Sequence, residues 1–177
     1  VEDLIRGCLK KDRHCQEALF RMFSGKMLIL CKRYARHRLE AEDILQDGFV
    51  KAFTKLEQYS FEGSFEYWLR RIMINTALKN YKKSSYQKEL LSGDAMPYDR
   101  GVAPDALDNL VTADILKMVE ELPEGYRVVF NMYAIEGYSH REIAETLGIQ
   151  ESTSRSQLVK ARRILQEKIN KRIKSVA

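Results

Sequence analysis

The residues with the clearest chemistry lie near the C-terminus, in REIAETLGIQESTSRSQLVKARR, Arg141 to Arg163. Arg155, Gln157, Lys160, Arg162 and Arg163 follow one another with no acid after Glu151. Guanidinium and amide groups at the start of a helix can make paired hydrogen bonds to base edges, and later cations can meet phosphates. Such side chains need a helix that points them away from the core. At about 100° per residue, Ser154, Leu158, Ala161 and Leu165 share one side. Ser152, Ser156, Val159, Lys160 and Arg163 point the other way, and Arg155, Gln157 and Arg162 flank the inward stripe. Just upstream, Ser139 and Glu142 fit the S-x-x-E capping box. Ile143, Ala144 and Leu147 face a core, and Gly148 supplies a left-handed turn residue. Ser152 is the expected cap of the second helix. The pattern predicts a helix-turn-helix that presents its second helix to duplex DNA.

A second constellation is EAEDILQD, with Glu40, Glu42, Asp43 and Asp47 and no base among them. Acids favour a helix N-terminus. Asp47 lies beyond the first turn, however, and an acidic surface suits a basic protein partner rather than DNA. The third is RRIMINTALKNYKK, where Arg70, Arg71, Lys79, Lys82 and Lys83 accompany Asn75 and Asn80 without an acid. Phe61 precedes Gly63 in the loop before it. Cations beside aromatics suit unpaired bases, which offer stacking faces. Core packing explains Trp68 best; for Phe61 packing and base stacking stand equal.

The elements that must carry these groups are helical. No long alternating strand pattern and no repeat is present. The expected helices are near Val1–Leu9, His14–Phe23, Lys26–His37, Ala41–Leu56 and Phe65–Lys83, the last capped by Ser64. A second set covers about Asp105–Leu122, Glu124–Ile135 and the helix-turn-helix. Between them, residues 85–104 hold two of the three prolines, Pro97 and Pro104, and read as a linker with one short helical turn near Lys88–Leu91. The expected fold is therefore all-α, with two helical domains, 1–84 and 105–177, joined by a flexible linker, 85–104.

Charge follows the same division. The 177 residues carry net +5, but residues 1–84 hold 17 Lys+Arg against 11 Asp+Glu, 105–150 hold 3 against 9, and 151–177 hold 8 against 2. The net positive charge leans toward a polyanionic partner, and the last third is strongly polarised along the chain. No apolar run approaches the ~20 residues of a membrane span. VEDLIRGCLKKDRHC lacks a signal peptide's apolar stretch. Cys8, Cys15 and Cys31 are odd in number and widely spaced, which fits free thiols in a reducing cytosol and neither a disulfide framework nor a metal site. No Walker loop, HExxH or GxSxG occurs, and His14, His37 and His140 are scattered on polar stretches, which argues against an enzyme and calls for no cofactor. A plain helix-turn-helix repressor remains a rival, but it leaves EAEDILQD and RRIMINTALKNYKK without roles.

AEDILQDGFVKAF, GSFEYWLRRIMINTALKNY and LPEGYRVVFNMYAIEGYSHREIAETLGIQESTSRSQLVKARRIL together resemble bacterial RNA polymerase sigma factors of the extracytoplasmic-function type. STSRSQLVKAR is similar to a variant common in Bacteroidetes. The resemblance implies that the first lobe is region 2 and the second region 4, and that the chain directs promoter-specific initiation without catalysing chemistry. It implies core RNA polymerase as partner, gripped at the β′ clamp helices by Asp43, Gln46 and Asp47 and met at the β flap by region 4. It implies −10 contacts by Phe61, Arg71, Asn75 and Lys79, with a base flipped toward the FEGS loop. It implies −35 contacts by Arg155, Ser156 and Gln157, with Lys160, Arg162 and Arg163 beside them. Many relatives carry Arg where this chain has Gln157, and a larger residue where it has Gly48. An anti-sigma protein is the implied regulator, and the free chain is expected to be a cytoplasmic monomer.

Overall fold

A computed structural model describes residues 1–91 and 110–176, with side chains described over 1–83 and 114–174. The chain forms two compact units, and among the described residues every regular element is a helix.

The N-terminal unit opens with α1, Glu2–Leu9, which buries Ile5 and Cys8. Asp12 caps α2, Arg13–Tyr34, accepting hydrogen bonds from the His14 and Cys15 N–H groups at 2.8 and 3.4 Å. Those bonds hold its carboxyl below the usual carboxylate range. The two helices expected over residues 14–37 are thus one. Ser24-Gly25 does not break it. A mid-helix glycine costs about 1 kcal/mol relative to alanine, whereas Phe23 and Met27 beside it are both buried, and each such burial contributes about 1.5–3 kcal/mol.

Helix α3, Arg38–Thr54, starts three residues earlier than expected because His37 caps it, its Nδ1 accepting from the Glu40 N–H at 3.2 Å. A 3₁₀ turn, Leu56–Gln58, follows. Helix α4, Phe65–Leu91, begins after Ser64, whose carbonyl accepts from the Trp68 N–H at 3.2 Å. It continues through residues 85–91, which the sequence reading places in the linker. That stretch, SYQKELL, contains neither Gly nor Pro, and its Gln, Lys, Glu and Leu are good helix formers. Residues 92–104, the rest of the expected linker, lie outside the described residues, as does the start of the helix expected from Asp105.

Helices α2, α3 and α4 pack against one another, with α1 against α2 and the 3₁₀ turn. Leu19, Met27, Leu30, Ile44, Leu69 and Met73 are almost wholly buried between them. Gly48 on α3 lets α4 approach: a Cβ there would overlap the Met73 Sδ and lie 2.9 Å from its Cε.

In the C-terminal unit, α5 (Leu110–Glu120) and α6 (Glu124–Phe130) lead into a π-helical turn, Asn131–Ile135. Helix α7, His140–Leu147, carries the expected capping box. Ser139 Oγ accepts from the Glu142 N–H at 3.2 Å, and Glu142 accepts from the Ser139 N–H at 2.8 Å. Gly148 ends it at φ 71°. Helix α8, Glu151–Val176, includes Ser152 within its first turn, so Ser152 is not a cap. The chain enters α8 two residues earlier than a Ser152 cap would allow, and the Ser154 N–H already bonds the Gln150 carbonyl. Val119, Leu122, Ala161 and Leu165 form one buried apolar cluster, and Val128, Val129, Met132, Ile143 and Leu158 are buried as well. Lys168 pairs with Glu121, and Arg172 with Asp114 at 2.5 Å, tying the second half of α8 to α5 and the residue that follows it.

Candidate nucleic-acid and protein interfaces

On α8, Ser154, Leu158, Ala161 and Leu165 are buried, as the helical wheel predicts. That anchoring turns Arg155, Ser156, Lys160, Arg162 and Arg163 outward, and Gln157 is half-buried at the edge. The donors do not all project freely. Arg155 pairs with Glu151 one turn back, which offsets the unfavourable helix dipole at this position. Ser156 Oγ donates to the Thr153 carbonyl at 2.9 Å. Lys160 lies 5.9 Å over the Tyr126 ring and Arg162 5.8 Å over Tyr133. Arg163 reaches Glu167 at 3.6 Å. These exposed pairs are each worth about 0–1 kcal/mol, little enough to exchange for phosphate contacts.

His140 departs from its expected solvated state. Its ring stacks on Tyr133 at 4.4 Å and 21°, and its Nδ1 shares a 2.9 Å hydrogen bond with the buried Ser154 Oγ. Desolvation first, then the nearby Arg155, push its pKa below the ordinary value. The π turn, closed by bonds from the Glu136 and Tyr138 N–H groups to the Asn131 and Met132 carbonyls, brings Tyr133 to this place. The contact joins the start of α7 to the start of α8, and no local spacing rule reveals it.

On α3, Asp43, Gln46 and Asp47 are exposed along one edge. The acidic patch is narrower than its sequence. Glu40 is bound by the Arg36 guanidinium at 3.0–3.1 Å and by the Arg36 N–H. Burial alone would raise the Glu40 carboxyl; the Arg36 hydrogen bonds outweigh it and hold the group below its ordinary value. Glu42 pairs with Arg38 at 2.8 Å. Asp43 and Asp47 keep their charge toward solvent, bracketed by Leu39 and Val50, 69% and 65% exposed. These two exposed aliphatics escape a reading based on charge, though their spacing from Asp43 and Asp47 places them on the same edge.

On α4, Arg71, Asn75 and Lys79 are exposed at successive i, i+4 positions. Tyr67 extends the row by one turn and is 65% exposed. It was legible from the spacing but hidden among aromatics that serve the core. Phe65 is buried and Trp68 half-buried, their rings 5.5 Å apart and each near Tyr59. Phe61 packs against Tyr59, at 5.1 Å between centroids, and its side chain is 37% exposed.

Among the described residues no cluster of His, Cys, Asp and Glu could hold a metal, and no helix is long and apolar enough to cross a membrane. The three cysteines are free; burial raises the Cys31 thiol to about 12.

Comparison with known proteins places both units. The family described as Sigma-70 region 2 matches residues 16–86, and that described as Sigma-70, region 4 matches residues 112–165, 71 and 54 residues respectively. The ECF RNA polymerase sigma-E factor of Haemophilus influenzae is 28% identical over 178 residues, covering 94% of this chain and 93% of the relative. The ECF RNA polymerase sigma factor SigE of Mycolicibacterium smegmatis is 30% identical over 162 residues, covering 88% of this chain and 62% of the relative. The solved structure of the sigma factor RpoE with the anti-sigma factor NepR from Bartonella quintana shares the fold, at a TM-score of 0.57 and 20% identity over 87% of this chain and 96% of that one. With both sigma-70 regions matched in order over more than two thirds of its length, the chain belongs to the sigma-70 family, in its extracytoplasmic-function group.

Proposed function

We propose that this alternative sigma factor divides promoter-specific initiation among three faces. The α3 edge of Asp43, Gln46 and Asp47 docks on core RNA polymerase at the β′ clamp helices. The α4 row of Arg71, Asn75 and Lys79, with Phe61 in the preceding loop, holds the unpaired −10 strand. The outward side of α8, with Arg155, Ser156, Gln157, Lys160, Arg162 and Arg163, reads the −35 duplex, while the C-terminal unit meets the β flap. One observation carries the reading: within a single unit, exposed acids occupy α3 and exposed bases occupy α4. A protein that only bound DNA would gain nothing from unpaired acids, whose repulsion from phosphate weakens binding.

Capture of a −10 base costs a few kcal/mol of unstacking, which stacking and edge hydrogen bonds offset. The polymerase performs the chemistry. Two modest DNA sites on one chain act together because occupying one raises the effective concentration at the other. An anti-sigma protein that covers either docking face would silence the whole, and the sigma factor RpoE carries an anti-sigma partner, NepR, in its solved complex.

Run-off transcription with purified core enzyme and a promoter library tests the reading. The wild-type chain is expected to start transcripts at promoters sharing −35 and −10 elements. Asp47→Lys is expected to lose core affinity while keeping its melting temperature, because Asp47 is exposed and pairs with no described residue. Unchanged core affinity would remove that residue from the interface. Tight binding to promoter duplex without polymerase would favour the repressor reading instead.

A further inference from the structure

Helix α1 lies ahead of the region 2 match, which begins at residue 16, yet it reaches the loop that carries Phe61. Ile5 and Cys8 anchor α1 against α2 and the 3₁₀ turn. Arg6, exposed beside Ile5, then lies with its guanidinium carbon 5.3 Å from the centroid of the Phe61 ring. Phe61 has φ 59°, a left-handed backbone that is strained for a residue with a Cβ. Such conformations persist where the surroundings over-determine them, and they cluster at ligand sites. Here the surroundings are visible. Tyr59 packs against the ring, and its Oη donates to the Gly63 carbonyl at 2.8 Å, closing the loop. Arg6 supplies a cation over the same ring.

We propose that Arg6 is a further residue of the −10 site, holding the Phe61 ring in its exposed pose and offering its edge N–H groups to a phosphate of the unpaired strand. The inference rests on the reading of Phe61 as a −10 contact. A guanidinium suits both tasks at once: its flat face meets an aromatic ring while its five N–H donors lie in the plane. A lysine ammonium supplies the charge without the plane. The nearest part of the proposed strand path, Phe61, already touches Arg6, so the strand need not bend to reach it.

The full chain, assembled with core polymerase, is tested for binding a fluorescent single strand that carries the −10 sequence recovered from the promoter library. Arg6→Gln is expected to weaken binding about two- to fivefold. It is also expected to reduce the slope of log affinity against log salt by about 0.7, the share of one phosphate contact on a single strand. Arg6→Lys should restore the slope but not the full affinity. In a Phe61→Ala background, Arg6→Gln should cost less than in the wild type. Core affinity and −35 duplex binding should stay unchanged in all of these, which separates the effect from misfolding. If Phe61→Ala weakens binding and Arg6→Gln does not, Arg6 has no part in the site while the −10 reading stands. If Phe61→Ala itself has no effect, the −10 reading of this loop fails and the role of Arg6 fails with it.

Discussion

Replacing Gly48 by alanine tests how closely α3 and α4 are fitted, and so how the acidic edge is held relative to the basic row. Two opposed effects meet at this position. Alanine in a helix interior is favoured over glycine by about 1 kcal/mol. The added Cβ, however, would overlap the Sδ of Met73 and lie 2.9 Å from its Cε and 3.6 Å from its Cγ. Met73 is fully buried, so its thioether has no solvent to move into. Overpacking of this kind costs about 1–3 kcal/mol, and the net expected loss is about 1 kcal/mol. Met73→Ala alone should cost about 2–5 kcal/mol by opening a cavity. In that background Gly48→Ala should become stabilising by about 1 kcal/mol, because the helix preference remains and the clash is gone. Urea unfolding followed by Trp68 fluorescence is the assay: Trp68 is the sole tryptophan and sits between Tyr59 and Phe65, so it reports the N-terminal unit within the whole chain. A Gly48→Ala penalty of equal size in both backgrounds, or a stabilisation by Gly48→Ala alone, would refute the steric account.

Gly148→Ala should destabilise the C-terminal unit by about 1–2 kcal/mol through backbone conformation alone, since φ is 71° and a Cβ would meet nothing within 4 Å; an unchanged thermal midpoint of that unit would contradict this. The depressed pKa of His140 means that the unfolded chain takes up the proton first. Stability is then full above the ordinary histidine value of 6.5 and falls as pH drops through and below it. Hydrogen exchange of the α7 and α8 amides should show that fall, and His140→Gln should flatten it; a slope unchanged by the substitution would assign it to another group. Gln157→Arg should shift the preferred −35 base from adenine toward guanine with little loss of stability, read from the promoter library; an identical promoter profile would argue against a base contact there.

What could be read from the chain in advance was local in cause. The capping box at Ser139 and Glu142 and the left-handed end at Gly148 depend on neighbours within a few residues, and both stand as expected. The buried stripe of α8 depends only on helical period. The continuous α2 was not legible, because Gly25 weakens a helix locally and only the burial of Phe23 and Met27 in the tertiary fold decides the outcome. The acidic patch is narrower than formal charge suggests, and here the cause is local. Formal charge counts Glu40 and Glu42 with Asp43 and Asp47, but Arg36 and Arg38, four residues upstream of each glutamate, neutralise the first two. The i, i+4 rule could have found those pairs.

Among the contacts beyond reach of any spacing rule are Arg6 with Phe61 and His140 with Tyr133 and Ser154. They share a physical character. Each sets a polar or cationic group from one helix against a ring that lies beside a proposed DNA face. One lies at a loop with one strained residue in the first unit, the other at the entry to α8 in the second. The core fixes helices through area, which tolerates sliding and rotation, whereas a hydrogen bond to a buried hydroxyl is lost over about an ångström. Base recognition demands that finer tolerance. On the proposed reading of the two DNA faces, substitutions at Arg6 or His140 should alter promoter use more than they alter the stability of the fold.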